Sequence, residues 1–268
     1  MFRTDVHMGD NGKLKATVDQ NSIDTRKPLP KVEATNLLTS SAHGESWLQK
    51  GGENDALRSL SRAQGEIAGS FARLTEWRGK QSPHLTQAQH LDTVAREYER
   101  NTRAHANRVD MATEHANAEL KNLDAQARQA VGWTEDNAQE LRSVVRSMDP
   151  GERSEFIGQA IENGDGSALG PVLSGHPALS GLTGEQQQAY QRAYKAKHTP
   201  KLLATEDAIK EAKGKVRAAF VEFLEAGDTV TAKEVREQYE QEAQEAAEAR
   251  QRAAGVGDPT DRWDMFTS

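Results

Sequence analysis

One long stretch without helix breakers constrains the fold of this chain more than any other feature. Between Pro83 and Trp133 there is no proline, and the only glycine is Gly132. From Thr86 to about Val131, apolar or small residues recur at roughly 3.6-residue intervals, which is the α-helical period. At about 1.5 Å per residue, this helix would be roughly 65–70 Å long, so other helices from this chain or its copies must cover it. The stripe comprises Leu91, Val94, Tyr98, Thr102, His105, Val109, Ala112, Ala116, Leu120, Leu123, Ala127 and Val131.

The composition favours extended helices over a large, filled core. Of the 268 residues, 35% are hydrophobic and only 5% are aromatic. Large apolar side chains supply most burial free energy, at roughly 25 cal/mol per Å², whereas helices rich in Ala, Glu, Gln, Arg and Lys form readily but pack thinly. We therefore predict an all-α fold: an elongated helical hairpin or bundle with one very long helix, a flexible N-terminal arm and a C-terminal tail.

Charge and residue usage exclude several classes of partner. The net charge of −7 gives no general attraction to nucleic acid or to an anionic membrane. The absence of cysteine excludes disulfides and thiolate metal sites. No apolar run reaches the ~18 residues that span a bilayer, and residues 1–10 lack the form of a signal peptide. We expect an intracellular origin without a membrane partner.

Breaks in the pattern divide the chain into segments. A first helix begins at Asn54 or Asp55, good N-cap residues, and is expected to fold back along the long helix as an antiparallel hairpin. Its apolar seam has heptad-like spacing and comprises Leu57, Leu60, Gln64, Ile67, Phe71, Leu74 and Arg78. The predicted segments are an extended or disordered arm (1–52), the hairpin with short helices (53–163), a Gly/Ser/Pro-rich linker (164–183), C-terminal helices (184–254) and the tail (255–268).

No residue pattern identifies a chemical reaction. The eight histidines are scattered, without a His-x-x-x-His pair or a Glu-x-x-His motif. His105 lies on the apolar stripe and is interpreted as a hydrogen-bonded interior histidine. Arg96, Arg100, Arg103 and Arg108 form a basic stripe that could meet phosphate or an acidic partner. We interpret it as a solvated face with ion pairs to nearby acids. We predict no catalytic residue, no metal and no cofactor.

Four large apolar residues are candidates for partner binding. Trp263, Met265 and Phe266 lie in the polar C-terminal tail, and Trp47 is an isolated aromatic residue of the arm. Exposed aromatic side chains are costly to leave unused, and tryptophan is enriched at binding hot spots. The tail is expected to dock onto a partner or another copy; packing onto its own bundle and simple disorder are the alternatives.

Residues 146–185 resemble a known class of protein. The stretch combines a Pro-started helix at Asp149-Pro-Gly-Glu152, a Gly164-Asp165 break and a Leu179-Ser-Gly-Leu-Thr183 restart. It is similar to a stretch of small helical proteins encoded beside the capsid genes of tailed bacteriophages. That resemblance implies a scaffold, an internal or ejected protein, or a connector-associated part of the particle, and it carries over no catalytic residue.

The resulting functional prediction is a non-enzymatic structural or assembly protein of a tailed-phage particle. It would work in multiple copies through helix–helix contacts, as a homo-oligomer with other capsid or connector proteins as partners. Its location would be the virion or the host cytoplasm, with nucleic acid nearby only inside a particle. One alternative is a cellular coiled-coil adaptor or regulator. Another is a wall-degrading ejection enzyme, which would need a positioned acid in a buried cleft.

Overall fold

Helices dominate the structure, a computed structural model that describes residues 4–8, 14–18, 26–40, 42–130 and 132–255. The predicted all-α fold is confirmed. The helices are α1 (Asn36–Thr39), α2 (His43–Gly51), α3 (Asp55–Gly79), α4 (Gln87–Ala130), α5 (Ala138–Ser147), α6 (Pro150–Asn163), α7 (Gly166–Ser174), a 3₁₀ helix (Pro177–Ser180), α8 (Gly184–His198), α9 (Pro200–Glu225), α10 (Gly227–Val230) and α11 (Lys233–Gly255).

Residues 1–52 contain more regular structure than predicted. Strands β1 (Thr4–Met8) and β2 (Leu14–Val18) pair antiparallel, with Thr4 opposite Val18. Helices α1 and α2 lie in the same stretch, so among the described residues the expectation of an irregular arm holds mainly for residues 26–35. Thr35 caps α1 by accepting a hydrogen bond from the Leu37 amide at 3.2 Å, a local signal that the absence of a sustained period obscured.

The long helix α4 follows the sequence prediction closely. Its 44 residues begin directly after Thr86, whose Oγ1 accepts from the Gln89 amide at 3.2 Å. Gln89 Oε1 accepts from the Thr86 amide at 3.1 Å in return, which completes a capping box. Every described member of the predicted stripe is buried or half-buried; Val131 lies outside the described residues.

The chain forms two compact units. The described residues of Glu33–Glu76 and Glu97–Gly227 form the bundle unit, and the described residues within Met1–Val32, Trp77–Arg96 and Asp228–Ser268 form the terminal unit. This division differs from the predicted segments because α3 and α4 each contribute residues to both units.

In the bundle unit, α3 and α9 both lie antiparallel to α4. The first pairing is defined by the Arg108–Glu66 ion pair, a hydrogen bond from Ser70 to Asn101 and one from Asn54 to Glu119. The second is defined by Lys213–Asn117 and Tyr98–Phe223, whose rings stack at 4.9 Å. The predicted antiparallel hairpin of α3 and α4 is therefore confirmed.

Residues 164–183, predicted to be a linker, instead form part of a second core in the bundle unit. Asp165 caps α7 by accepting from the Ser167 and Ala168 amides. A Cβ on Gly170 would lie 1.9 Å from the Thr134 carbonyl oxygen, so this glycine permits close packing rather than flexibility. The core side chains are Val145, Ile157, Ala160, Ile161, Leu169, Val172, Leu173, Leu182 and Tyr194.

In the terminal unit, an extended segment is fastened to α4 and α11. The Lys27 amide donates to Gln87 Oε1 at 2.8 Å, and Gln87 Nε2 donates to the Lys27 carbonyl at 2.9 Å. The Tyr239 hydroxyl also donates to Gln87 Oε1, at 2.5 Å. Because the Gln87 amide satisfies the backbone as a neighbouring strand would, the segment is held without sheet pairing. Leu29 packs nearby against the small core around Leu91.

Candidate functional site

The structure places Trp47 in the interior of the chain itself. Its side chain is 1% exposed and stacks against His43 at 6.3 Å. A Cβ on Gly51 would lie 2.9 Å from Ala208 Cβ, so α2 and α9 approach closely. Trp47 is therefore inaccessible to a partner in this fold, contrary to the prediction. Trp263, Met265 and Phe266 lie outside the described residues, and their docking role stays a prediction.

The second half of α11 is exposed all round. Every residue from 240 to 254 is exposed, although Val235 near the start of the helix is buried. The face that contains Val235 and Tyr239 continues along the helix in steps of three and four. We call this continuation the α11 face; it consists of Glu242, Ala246, Ala249 and Ala253.

Local propensity is the main local support for the helical state of this exposed half. Its alanine, glutamate, glutamine and arginine residues are strong helix formers. Arg252 pairs with Glu248 at 3.7 Å across one turn, a contact worth only a few tenths of a kcal/mol. Isolated helices of about 12–15 residues are marginal in water, so docking against another helix would stabilise this one.

An ion triad centred on the buried Lys195 lies in the bundle unit. Its Nζ donates to Asp124 Oδ1 and to Glu206 Oε2, both at 2.8 Å. Burial lowers the pKa of Lys195, but the two acidic partners outweigh it and raise the pKa above the ordinary value. Burial likewise raises the pKa of Glu206, but Lys195 and Lys210 outweigh it and lower the pKa. The amine stays protonated and Glu206 stays ionised near neutral pH, so this triad is poorly suited to proton transfer.

His105 is buried in the bundle unit without a hydrogen bond. It is 2% exposed, neither ring nitrogen has a partner, and its ring meets Phe223 edge-on at 5.4 Å. Burial and then Arg108 lower the pKa of His105, which favours the neutral ring. Its interior position is confirmed, but the expected hydrogen bond is absent because its neighbour is an aromatic side chain.

A basic cavity of about 550 Å³ lies within the terminal unit. It is bordered by the end of α3, the start of α4 and the extended segment around Lys27. Of the described residues that line it, four are cationic and none is acidic. The lining comprises Arg26, Lys27, Leu29, Arg78, Gly79, Lys80, Gln81, Gln87, His90 and Leu91.

Arg78 is the most buried cation of this lining. It is 7% exposed, and its Nη2 donates to the Pro30 carbonyl at 2.7 Å. Its Nε is buried without a hydrogen-bond partner, and burial lowers the pKa of Arg78. Within the described residues no carboxylate pairs with this guanidinium. Sequence spacing placed Arg78 on the buried seam of α3, but no sequence signal indicated the cavity.

The predicted basic stripe on α4 is a paired, exposed face. Arg96 bonds Asp92 at 2.7 Å, and Arg100 bonds Glu97 at 2.5 Å. Arg103 lies 3.9 Å from Glu99. Arg108 pairs instead with Glu66 on α3. Every arginine of the stripe is thus matched by an acid, which confirms the interpretation as a solvated face with ion pairs.

Comparisons with protein-family models, curated proteins and solved structures find no match for this chain. In the part of the chain that the structure describes, no group of three or more histidine, aspartate or glutamate residues could hold a metal ion. None of the helices in the described ranges is long and apolar enough to cross a membrane. The fold and these features define an all-α bundle protein with a solvent-exposed helix and a basic cavity.

Proposed function

We propose that this chain is a non-enzymatic assembly protein that acts in multiple copies through helix–helix contacts. The carrying observation is the fully exposed second half of α11, residues 240–254. A single helix of that length buries no core by itself. The side-chain row of this half continues the face of α11 that is buried near the start of the helix. Contact with the same helix of another copy would supply the missing cover.

The α11 face has the spacing that paired helices use. Steps of three and four residues keep a side-chain row on one side of a helix over several turns. Small alanine side chains let two backbones approach closely, while the glutamates and arginines beside them can pair across the interface. The affinity would be modest because three alanines bury little apolar area compared with leucine or isoleucine.

Three ionisable groups of the bundle unit, Lys195, Glu206 and Tyr194, support the non-enzymatic part of this proposal. Lys195 and Glu206 are held in their charged forms. Burial raises the pKa of Tyr194 to about 12, which keeps its hydroxyl protonated. Active sites shift such groups toward the working pH, whereas these shifts run away from it.

The setting we propose is a tailed-phage particle or its assembly in the host cytoplasm. The support is the resemblance of residues 146–185 to proteins encoded beside capsid genes. In this setting the chain would be a scaffold, an internal or ejected protein, or a connector-associated part. Its partners would be further copies and capsid or connector proteins.

Sedimentation velocity with light scattering on the full chain, across a concentration series, tests the assembly role. The wild-type chain should form a concentration-dependent oligomer. The double substitution Ala246→Lys with Ala249→Lys should shift it to monomer because both lysines fall on the α11 face. The control, Gln244→Lys with Gln251→Lys, adds the same charge to the opposite side of the same helix and should assemble like wild type.

Two results would contradict this assignment. A wild-type chain that stays monomeric at every concentration would remove self-assembly. Equal assembly by both double variants would show that oligomers form through a different surface. Circular dichroism checks that all variants keep their helix content, as lysine is a good helix former.

A further inference from the structure

We propose that the basic cavity of the terminal unit binds a small phosphate-bearing compound. This inference goes beyond the assembly role, which rests on α11 and needs no ligand. It rests instead on the lining of the cavity and on the bonding of Arg78.

The cavity has the size and charge for such a compound. Its volume of about 550 Å³ falls in the range of roughly 300–1,000 Å³ typical of small-molecule sites. Cationic side chains approach it from the extended segment (Arg26, Lys27) and from the end of α3 and the residue after it (Arg78, Lys80). Leu29 and Leu91 add apolar wall beside the polar one. A multiply charged anion with a small organic body matches this mixture.

Arg78 supplies the recognition element. A guanidinium presents five N–H donors in a planar fork that matches two oxygens of a phosphate. In the structure one of its nitrogens donates to Pro30, while the buried Nε donates to nothing. A buried cation with so few hydrogen bonds is costly, and a phosphate in the cavity that Arg78 lines would offset that cost through a charge-assisted interaction with the guanidinium.

Other side chains of the cavity lining already bond within the chain, so Arg78 is the main candidate for binding phosphate. His90 Nε2 donates to the Trp77 and Arg78 carbonyls at 3.1 and 3.3 Å, which closes the end of α3. The ammonium of Lys27 bonds Glu242 at 2.7 Å, so its charge is partly matched. Gln87 opens α4, and the positive end of that helix dipole adds to the attraction for an anion.

Gly79 allows the cavity charge to be changed without disturbing a core. It lines the cavity, it is exposed, and a Cβ built on it meets no atom within 4 Å. Gly79→Asp therefore places a carboxylate at the cavity, and Gly79→Asn places an uncharged side chain of the same size there. Comparing the two variants separates the effect of a negative charge on binding from the effect of side-chain size.

Isothermal titration of the full chain with inorganic phosphate, at constant ionic strength, tests the proposal. Wild type should bind one phosphate per chain, and Gly79→Asn should match it within about twofold. Gly79→Asp and Arg78→Lys should each weaken binding about tenfold or more, the value of one charge-assisted hydrogen bond. Arg103→Gln, on the exposed face of α4, should leave binding unchanged.

Three outcomes would overturn the proposal. One is the absence of saturable phosphate binding by wild type. A second is equal phosphate affinity of Gly79→Asp and Gly79→Asn, a comparison that holds even where Arg78→Lys fails to fold. The third is binding of acetate as tight as that of phosphate, which would reassign the cavity to carboxylates. None of these readouts depends on oligomeric state, so this test and the assembly test fail independently.

Discussion

Lys195 in the bundle unit and Arg78 in the terminal unit are equally buried cations with opposite surroundings. Their exposed fractions are 8% and 7%. Lys195 lies between two carboxylates at 2.8 Å, whereas Arg78 has one backbone carbonyl at 2.7 Å and a buried Nε without a partner. Burial by itself therefore does not reveal whether a charge stabilises the fold, because the neighbouring oxygens decide that.

The largest effect should come from removing the compensated charge. Lys195→Met should lower the free energy of unfolding by about 2–3 kcal/mol, because it leaves two carboxylates without their shared cation. We place the value below the roughly 3–5 kcal/mol of broken buried pairs because Lys210 still bonds Glu206 and Arg128 still bonds Asp124. Urea unfolding followed by circular dichroism measures the change. Lys210→Met, at a more exposed position, should cost under about 1 kcal/mol; equal losses in both variants would contradict the account of the triad.

The wild-type chain and Lys195→Met should also differ in how strongly acid lowers their stability. The folded-state pKa of Glu206 lies below the ordinary value of 4.5, so its contribution is fully present above pH 4.5 and is lost as pH falls through the folded-state pKa. Lys195→Met removes a main cause of that depression. The stability gap between wild type and Lys195→Met should therefore narrow below pH 4.5. A gap of constant size in urea titrations from pH 7 to pH 3 would argue against this linkage.

An intermediate effect is expected at His105, an uncompensated polar group within the bundle unit. The folded-state pKa of His105 is below the ordinary 6.5. Stability is therefore full above pH 6.5 and falls as pH drops from 6.5 toward the folded-state pKa, where only the unfolded chain takes up the proton. His105→Leu should remove this slope and raise the unfolding free energy by about 1 kcal/mol, because two unpaired nitrogens are no longer buried. Melting temperatures at pH 7.5 and 5.5 report both changes; an unchanged slope would be inconsistent with the burial of a neutral ring.

The smallest effect should come from removing the uncompensated charge. Arg78→Met should change the free energy of unfolding by less than about 1 kcal/mol, since the lost bond to Pro30 is offset by relief of an unpaired buried cation. The measurement is the same urea titration used for Lys195→Met. A loss as large as that of Lys195→Met would break the comparison, because Arg78 would then be compensated as fully as Lys195.

Sequence reasoning succeeded where the information is local and periodic. The α4 stripe and the α3 seam follow directly from 3.6-residue spacing, and Thr86 and Asp149, residue types that favour N-caps, cap their helices. The same spacing placed Gln64 and Arg78 on a buried face. Regular spacing identifies which face of a helix is covered, even where polar residues interrupt it.

The features that sequence reasoning missed depend on contacts between segments that are distant in the chain. Arg78 bonds Pro30, 48 residues away, and the cavity draws its lining from three separate stretches of chain. Trp47 is buried although its neighbours in sequence show no period. Residues 164–183 have the composition of a linker, yet one of their glycines, Gly170, is needed for close packing beside Thr134. Composition alone does not distinguish a glycine that bends a chain from one that admits a neighbour.

The exposed half of α11 also separates two properties that often occur together, hydrogen bonding and protection of the backbone. Its amides are bonded within the helix, as are those of α4, but no buried side chains from residue 240 to residue 254 oppose its opening. Amide hydrogens there should exchange with solvent through local fraying, long before those of the buried stretches of α4. A segment that is fully helical by its backbone bonds can thus turn over on the timescale of a loop until another surface covers it.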